Sequence, residues 1–176
     1  MAVVRDYNVA VIRRFLELGA ESMRFGDDLG MQRALPISPA LWRRALKPCF
    51  AAMFGPCREA GALVYLHSDG HILEIIPDLI EVGVTVLNPQ LSANGIEGLL
   101  KMGQGRVALD VDLNRQLFPF ASPAQIEEHI GQAWEAFHAP EGGLMLRAEC
   151  QPDVPLENIE AICRTLQRLC HPPAQD

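Results

Sequence analysis

Two rhythms of apolar residues alternate along this chain. One is the helical spacing i, i+3, i+4, i+7; the other is a short apolar run closed by polar residues and glycine. The first helical stretch covers about 8–18, where Val9, Ile12, Phe15 and Leu16 lie opposite Arg13, Arg14 and Glu17, and Gly19 supplies a stop. Ser22-Met23-Arg24-Phe25 then reads as a strand running into Gly26-Asp27-Asp28. Ser38-Pro39 provides an N-cap and a first-turn proline for a long helix, which Pro48 and Pro56 kink or split. The run 62–67 is a buried strand that stops in His67-Ser68-Asp69-Gly70. Ile72, Ile75, Ile76, Leu79 and Ile80 follow at helical spacing and end at Gly83.

The alternation continues to the far end. Thr85-Val86-Leu87 is a strand ending in Asn88-Pro89-Gln90, a helix surrounds Ile96–Leu100, and 106–111 is the next strand, carrying Asp110 and preceding Asp112. Ser122-Pro123 with Gln125 is a capping box that opens a helix to about Phe137. Gly143–Leu146 forms the last strand, ending in Arg147-Ala148-Glu149-Cys150, and Pro155 opens the last helix; the tail His171–Asp176 is expected to fray. This makes a single domain over 1–176, of the α/β class: about five βα units with parallel strands, preceded by one helix. An open doubly wound sheet and a (β/α)8 barrel both satisfy the alternation. A complete barrel takes eight units and roughly 250 residues, so counting alone favours the open sheet.

Composition narrows the function classes. The chain has 176 residues, 49% of them hydrophobic and 6% aromatic, which suits one globular domain with an aliphatic core. Its net charge of -7 and the absence of any basic block argue against nucleic acid. No apolar stretch is long enough for a membrane span, and Met1–Asp6 lacks the features of a signal peptide, so a cytoplasmic location is expected. The five cysteines include no CxxC pair, which argues against a disulfide framework or a cysteine-only zinc site. Most are expected to be buried small hydrophobes.

Candidate chemistry collects at the strand ends. In a parallel sheet Asp27, Asp28, His67, Asp69, Asn88, Gln90, Asp110, Asp112, Arg147 and Glu149 share one rim. Close carboxylates there raise one another's pKa or hold a cation. His67, Asp69 and Glu149 make a mixed N/O ligand set for a divalent metal such as zinc, and His67 alone serves as an acid or base on a polar substrate. Turn formation and helix capping explain any one of these residues equally well. Agreement among five strand ends points to a site.

At the same residues the chain resembles the uroporphyrinogen decarboxylase superfamily. The resemblance rests on Phe25-Gly26-Asp27-Asp28-Leu29-Gly30, Ile37-Ser38-Pro39 with Trp42-Arg43, Leu66-His67-Ser68-Asp69-Gly70, and Ile75–Glu81 with Val86-Leu87-Asn88-Pro89. Pro152–Ile159 completes the ordered set. That superfamily holds haem-pathway decarboxylases and cobalamin-dependent methyltransferases. The resemblance implies the C-terminal part of a (β/α)8 TIM barrel, with the active face at the C-terminal strand ends. On that active face His67, Asp28 and Asp110 are expected as catalytic residues and Asp27, Asn88, Gln90 and Arg147 as substrate-binding ones. The methyltransferase branch binds zinc through His-x-Cys and a later Cys. His67 matches the first ligand, Asp69 stands at the Cys position, and Cys150 lies near the later one. The decarboxylases' N-terminal Arg/Asp motif and their Gly-His-Gly after the last strand have no counterpart here. A chain of this kind is expected to lack full decarboxylase activity.

A partial barrel is expected to leave two open sheet edges and an exposed apolar interior, which a homodimer would cover. The function implied is decarboxylation of porphyrinogen acetates or methyl transfer on a small-molecule ligand. The alternative is a non-catalytic remnant that binds a small ligand or metal and dimerises.

Overall fold

A computed structural model describes residues 2–170; the fraying expected at His171–Asp176 lies outside them. Five parallel strands form one sheet in chain order: β1 (Ser22–Gly26), β2 (Leu63–Ser68), β3 (Val86–Pro89), β4 (Ala108–Asp112) and β5 (Leu144–Arg147). Sequential parallel order places each connection on the same side of the sheet, as in a barrel segment and unlike a doubly wound sheet.

Helix α1 (Ala2–Glu17) precedes β1. The long helix expected after Ser38 is two, α2 (Pro39–Ala45) and α3 (Lys47–Glu59). Ser38 caps α2 by accepting from the Leu41 amide, and Pro48 sits in the first turn of α3, where no intrahelical N–H is needed. Pro48 therefore starts a helix, and Pro56 is the one carried inside it. After β2 the chain makes a single 3₁₀ turn, Leu73–Ile75, and continues as α4 (Ile76–Val82), closed by Gly83 at φ 117°. A short α5 (Leu91–Asn94), unmarked in the apolar pattern, precedes α6 (Ile96–Gly103). The capping box at Ser122 and Gln125 opens α7 (Pro123–Phe137), and α8 (Leu156–Cys170) packs against α7.

Alternation along the strands separates two faces. Met23, Phe25, Val64, Leu66, Leu87, Leu109, Val111, Leu144 and Leu146 join the core beneath the helices. Each of the fully buried aliphatic side chains contributes on the order of 2 kcal/mol. The other face carries Arg24, Tyr65, His67, Asn88, Asp110, Asp112, Met145 and Arg147. This concave face is polar and hydrogen-bonded toward the C-terminal strand ends and carries Leu63, Val86, Ala108 and Met145 toward the other, so the expected apolar interior is found only in part. Among the described residues, edges β1 and β5 are both unpaired on their outer sides. The cysteines depart from expectation too: only Cys57 is buried, Cys49 is half-buried, and Cys150, Cys163 and Cys170 are exposed.

Candidate metal and ligand site at the strand ends

The register sets His67 level with Gly26 on one side and Asn88 on the other, at the C-terminal end of the sheet. His67 Nδ1 and Asn88 Oδ1 are 2.8 Å apart. An amide oxygen only accepts, so Nδ1 carries the proton and Nε2 is left to act. Asn88 is fully buried, and its amide nitrogen donates to the Asp110 carbonyl, which locks its orientation. It positions His67 and leaves no group for substrate, correcting its expected binding role.

Nε2 of His67 lies 3.6 Å from Oδ1 of Asp69. A carboxylate oxygen of Asp28 joins them, the three ligand atoms lying within 4.8 Å of one another. Around zinc, bonds of 2.0–2.2 Å set neighbouring ligand atoms roughly 3.3 Å apart, so the cluster must close by up to about 1.5 Å, which the exposed Asp28 side chain is free to supply. Asp69 Oδ1 is buried and has no hydrogen-bond partner, a state that normally costs 1–3 kcal/mol and that a cation relieves. One imidazole nitrogen and two carboxylates suit zinc or another divalent first-row ion with open positions for a ligand. The residues therefore fit a metal, with Asp28 in the place expected for Glu149.

Glu149 is engaged elsewhere. Its Oε2 accepts from Arg115 Nη1 at 2.7 Å, and Arg115 Nη2 reaches Asp69 Oδ2 at 3.1 Å. Arg115 ties the loop after β4 to those after β2 and β5 and fixes Asp69 through the oxygen that does not face His67. Its hydrogen bond with Glu149 and its carboxylate neighbours keep it charged. Asp112 is buried beside this group, with Oδ1 unpartnered. Burial raises its carboxyl above the ordinary range; Arg115 opposes this, while Glu149 and Asp69 add to it.

Lower on the concave face, Asp110 Oδ2 accepts from the Tyr65 hydroxyl and from Arg147 Nε and Nη2 at 3.3 and 3.2 Å. Burial, then the bond to Asp110, pushes the Tyr65 phenol up to about 12, so it stays neutral and donating. Asp110 is a positioning carboxylate in an ion pair, and Arg147 is its partner, half-exposed toward the concave face. Arg24 stacks over the Tyr65 ring at 5.0 Å. This pairing commits Asp110 to positioning in place of the expected catalysis, while Arg147, expected to bind substrate, keeps part of its guanidinium exposed on the same face.

Two further residues fall elsewhere. Asp27 has the parity of Phe25 and lines a cleft with Leu46, Phe50 and Met53 on the helical side. Burial, and secondly Asp28, raises its carboxyl. Gln90 Oε1 accepts the Gly70 amide at 2.9 Å and so holds the β2 loop. Asn94 ties the same loop by donating to the Gly70 and Gln90 carbonyls and accepting the Ile72 amide. Sequence reading missed Arg24, Tyr65 and Arg115 as members of the constellation. Strand parity with His67 points to Tyr65 in advance, but nothing local marks Arg115. A separate cavity at the N-terminal strand ends, between Thr85, Arg106, Phe137 and Gly142, has no such cluster.

The fold has solved counterparts. A methyltransferase from Methanosarcina mazei superposes with TM-score 0.66 at 19% identity, covering 95% of this chain and 48% of that one. A dihydropteroate synthetase crystal structure gives 0.50 at 17%, covering 89% and 59%. Yersinia pestis dihydropteroate synthase in a sulfonamide drug complex gives 0.52 at 19%, covering 90% and 60%. These are barrel enzymes, and at such identities the likeness is one of fold. The chain spans about half the length of the methyltransferase and about three-fifths of the other two. No family model matches the sequence, and no curated protein does.

Proposed function

We propose that the chain is the C-terminal half of a methyltransferase-type barrel, one domain whose rim binds a divalent metal through Asp28, His67 and Asp69. The metal would hold a small polar ligand over the concave face. One observation carries the reading: the unpartnered buried Oδ1 of Asp69 faces His67 Nε2 at 3.6 Å, beside Asp28. When bound, the metal supplies a Lewis acid that lowers the pKa of a coordinated acceptor group. Asn88 aims the imidazole, Arg115 holds Asp69 in place, and Arg24 and Arg147, both set against Tyr65, offer guanidinium charge to the ligand's far end.

Methyl transfer is favoured over porphyrinogen decarboxylation. The fold likeness to a methyltransferase agrees with the sequence resemblance, whereas Arg147-Ala148-Glu149 after the last strand has no histidine where the decarboxylases carry Gly-His-Gly. Asp69 in place of a thiolate makes the site harder than the thiol-activating kind. A second reading, binding without turnover, draws on Asp110 being held in an ion pair by Arg147.

Metal analysis of the purified protein, followed by titration of the metal-free form with Zn2+ and Mn2+, tests the proposal. One equivalent is expected, with affinity lost in His67→Ala and in Asp28→Asn. Wild-type protein that binds neither ion, or a His67→Ala variant that binds as wild type, overturns it.

A further inference from the structure

Helix α1 has two apolar faces and uses one. Asn8, Ile12 and Leu16 face α3: Ile12 is buried, Leu16 packs on the core, and Asn8 Nδ2 lies 3.6 Å from Met53 Sδ. A second set, Val4, Tyr7, Val11, Phe15 and Leu18, falls within an arc of about 80°, roughly 100° around the helix from the first. Tyr7 is 69% exposed, Leu18 68%, Val4 64% and Phe15 51%. Asp6, Arg13 and Glu17 keep to the far arc, Arg14 borders the stripe beside Tyr7 and pairs with Glu17, and Arg5 lies toward α3, so no charge falls inside the stripe.

The stripe is symmetric about Val11, with its members at seven and four residues on either side. A two-fold axis through Val11 lays the helix antiparallel on its copy. Val4 then meets Leu18, Tyr7 meets Phe15, and Val11 meets itself. An isologous contact requires this self-complementarity, and a stripe meeting an unrelated surface does not. The exposed parts of these side chains offer roughly 500 Å2 per copy, so pairing removes up to about 1,000 Å2, which reaches the lower bound for a specific interface. Left uncovered, such a patch lies at the upper end of what monomers expose.

We infer that this face of α1 is a homodimer interface whose occupant is α1 of a second copy, antiparallel and centred on Val11. It is distinct from pairing of the sheet edges and does not depend on the metal reading. Sedimentation velocity from about 1 to 100 μM tests it. Wild type is expected to dimerise, and Tyr7→Glu/Phe15→Glu to raise the dissociation constant at least 100-fold with unchanged far-UV circular dichroism, since both side chains are exposed. Val11→Cys is expected to give a disulfide-linked dimer on mild oxidation, beyond what the native cysteines give in wild type. A wild type monomeric at the highest concentration, a double variant that assembles as wild type, or no added cross-link at position 11 overturns the inference.

Discussion

Asn88 decides where the imidazole of His67 points. Its side-chain oxygen accepts a hydrogen bond from Nδ1–H, and its nitrogen is committed to the Asp110 carbonyl, so it can adopt one orientation only. Orienting partners of this kind typically govern 10–100-fold in metal affinity. Asn88→Ala is therefore expected to weaken zinc binding by that factor in calorimetric titration, while His71, whose Nδ1 meets the Ala93 carbonyl, is dispensable for it. His129 shows a different use of an imidazole. Its Nε2 accepts the Asn114 amide at 3.1 Å, and burial holds its pKa below the usual value. As pH falls through about 6.5, the unfolded chain gains a proton that the folded imidazole resists, so stability declines toward acid. His129→Gln keeps an acceptor without titrating. The melting temperature of this variant is expected to fall less between pH 7.5 and 5.5 than that of wild type, and an identical fall in both would refute the assignment.

Between elements, polar ties fix the outer layer and the rim. Asp78 at the start of α4 is buried and accepts from Arg43 of α2 and Lys47 of α3, each at 2.8 Å. Burial works to raise its carboxyl, but the bonds and charges of Lys47 and Arg43 outweigh it and hold the pKa low. Asp78→Asn leaves both cations without their anion and is expected to cost about 1–3 kcal/mol in chemical denaturation; a cost near zero would mean that α2, α3 and α4 are held by apolar packing alone. The element order was legible because caps and apolar periodicity are local. Ser38, Gly83 and the Ser122 box all act within a few residues of where they sit. The site was only half legible. His67 and Asp69 share one strand end, so chain proximity reveals them, and Asp28 comes from a neighbouring strand that register alone places alongside. Asp27 differs from Asp28 by one residue, and parity turns it to the other side of the sheet. Arg115 took Glu149 out of the metal set through a loop-to-loop contact 34 residues apart, which no local pattern records.

At the scale of the molecule, the polar C-terminal part of the concave face changes what an open barrel segment requires. Apolar side chains there would demand cover, whereas Arg24, Tyr65, Asp110 and Arg147 satisfy one another and tolerate water. The liability shifts to the two sheet edges and to the stripe on α1. Strands β2, β3 and β4 are paired on both sides, while β1 and β5 each leave one row of backbone groups unpaired. The helices reinforce the centre: Val64, Leu66, Leu87, Leu109 and Val111 are buried, whereas Leu144 and Leu146 of β5 are only partly so. Local opening should follow this gradient, since amides exchange through the cheapest opening available to them. Hydrogen exchange is accordingly expected to be slowest in β2–β4 and at least ten-fold faster in β5, with β1 between them because Phe25 packs on Phe54. Dimerisation through α1 leaves the β5 edge uncovered, so its exchange rate should not change with protein concentration. If β5 instead becomes protected as concentration rises, the edges themselves pair between copies, and the symmetric stripe on α1 is not what holds them together.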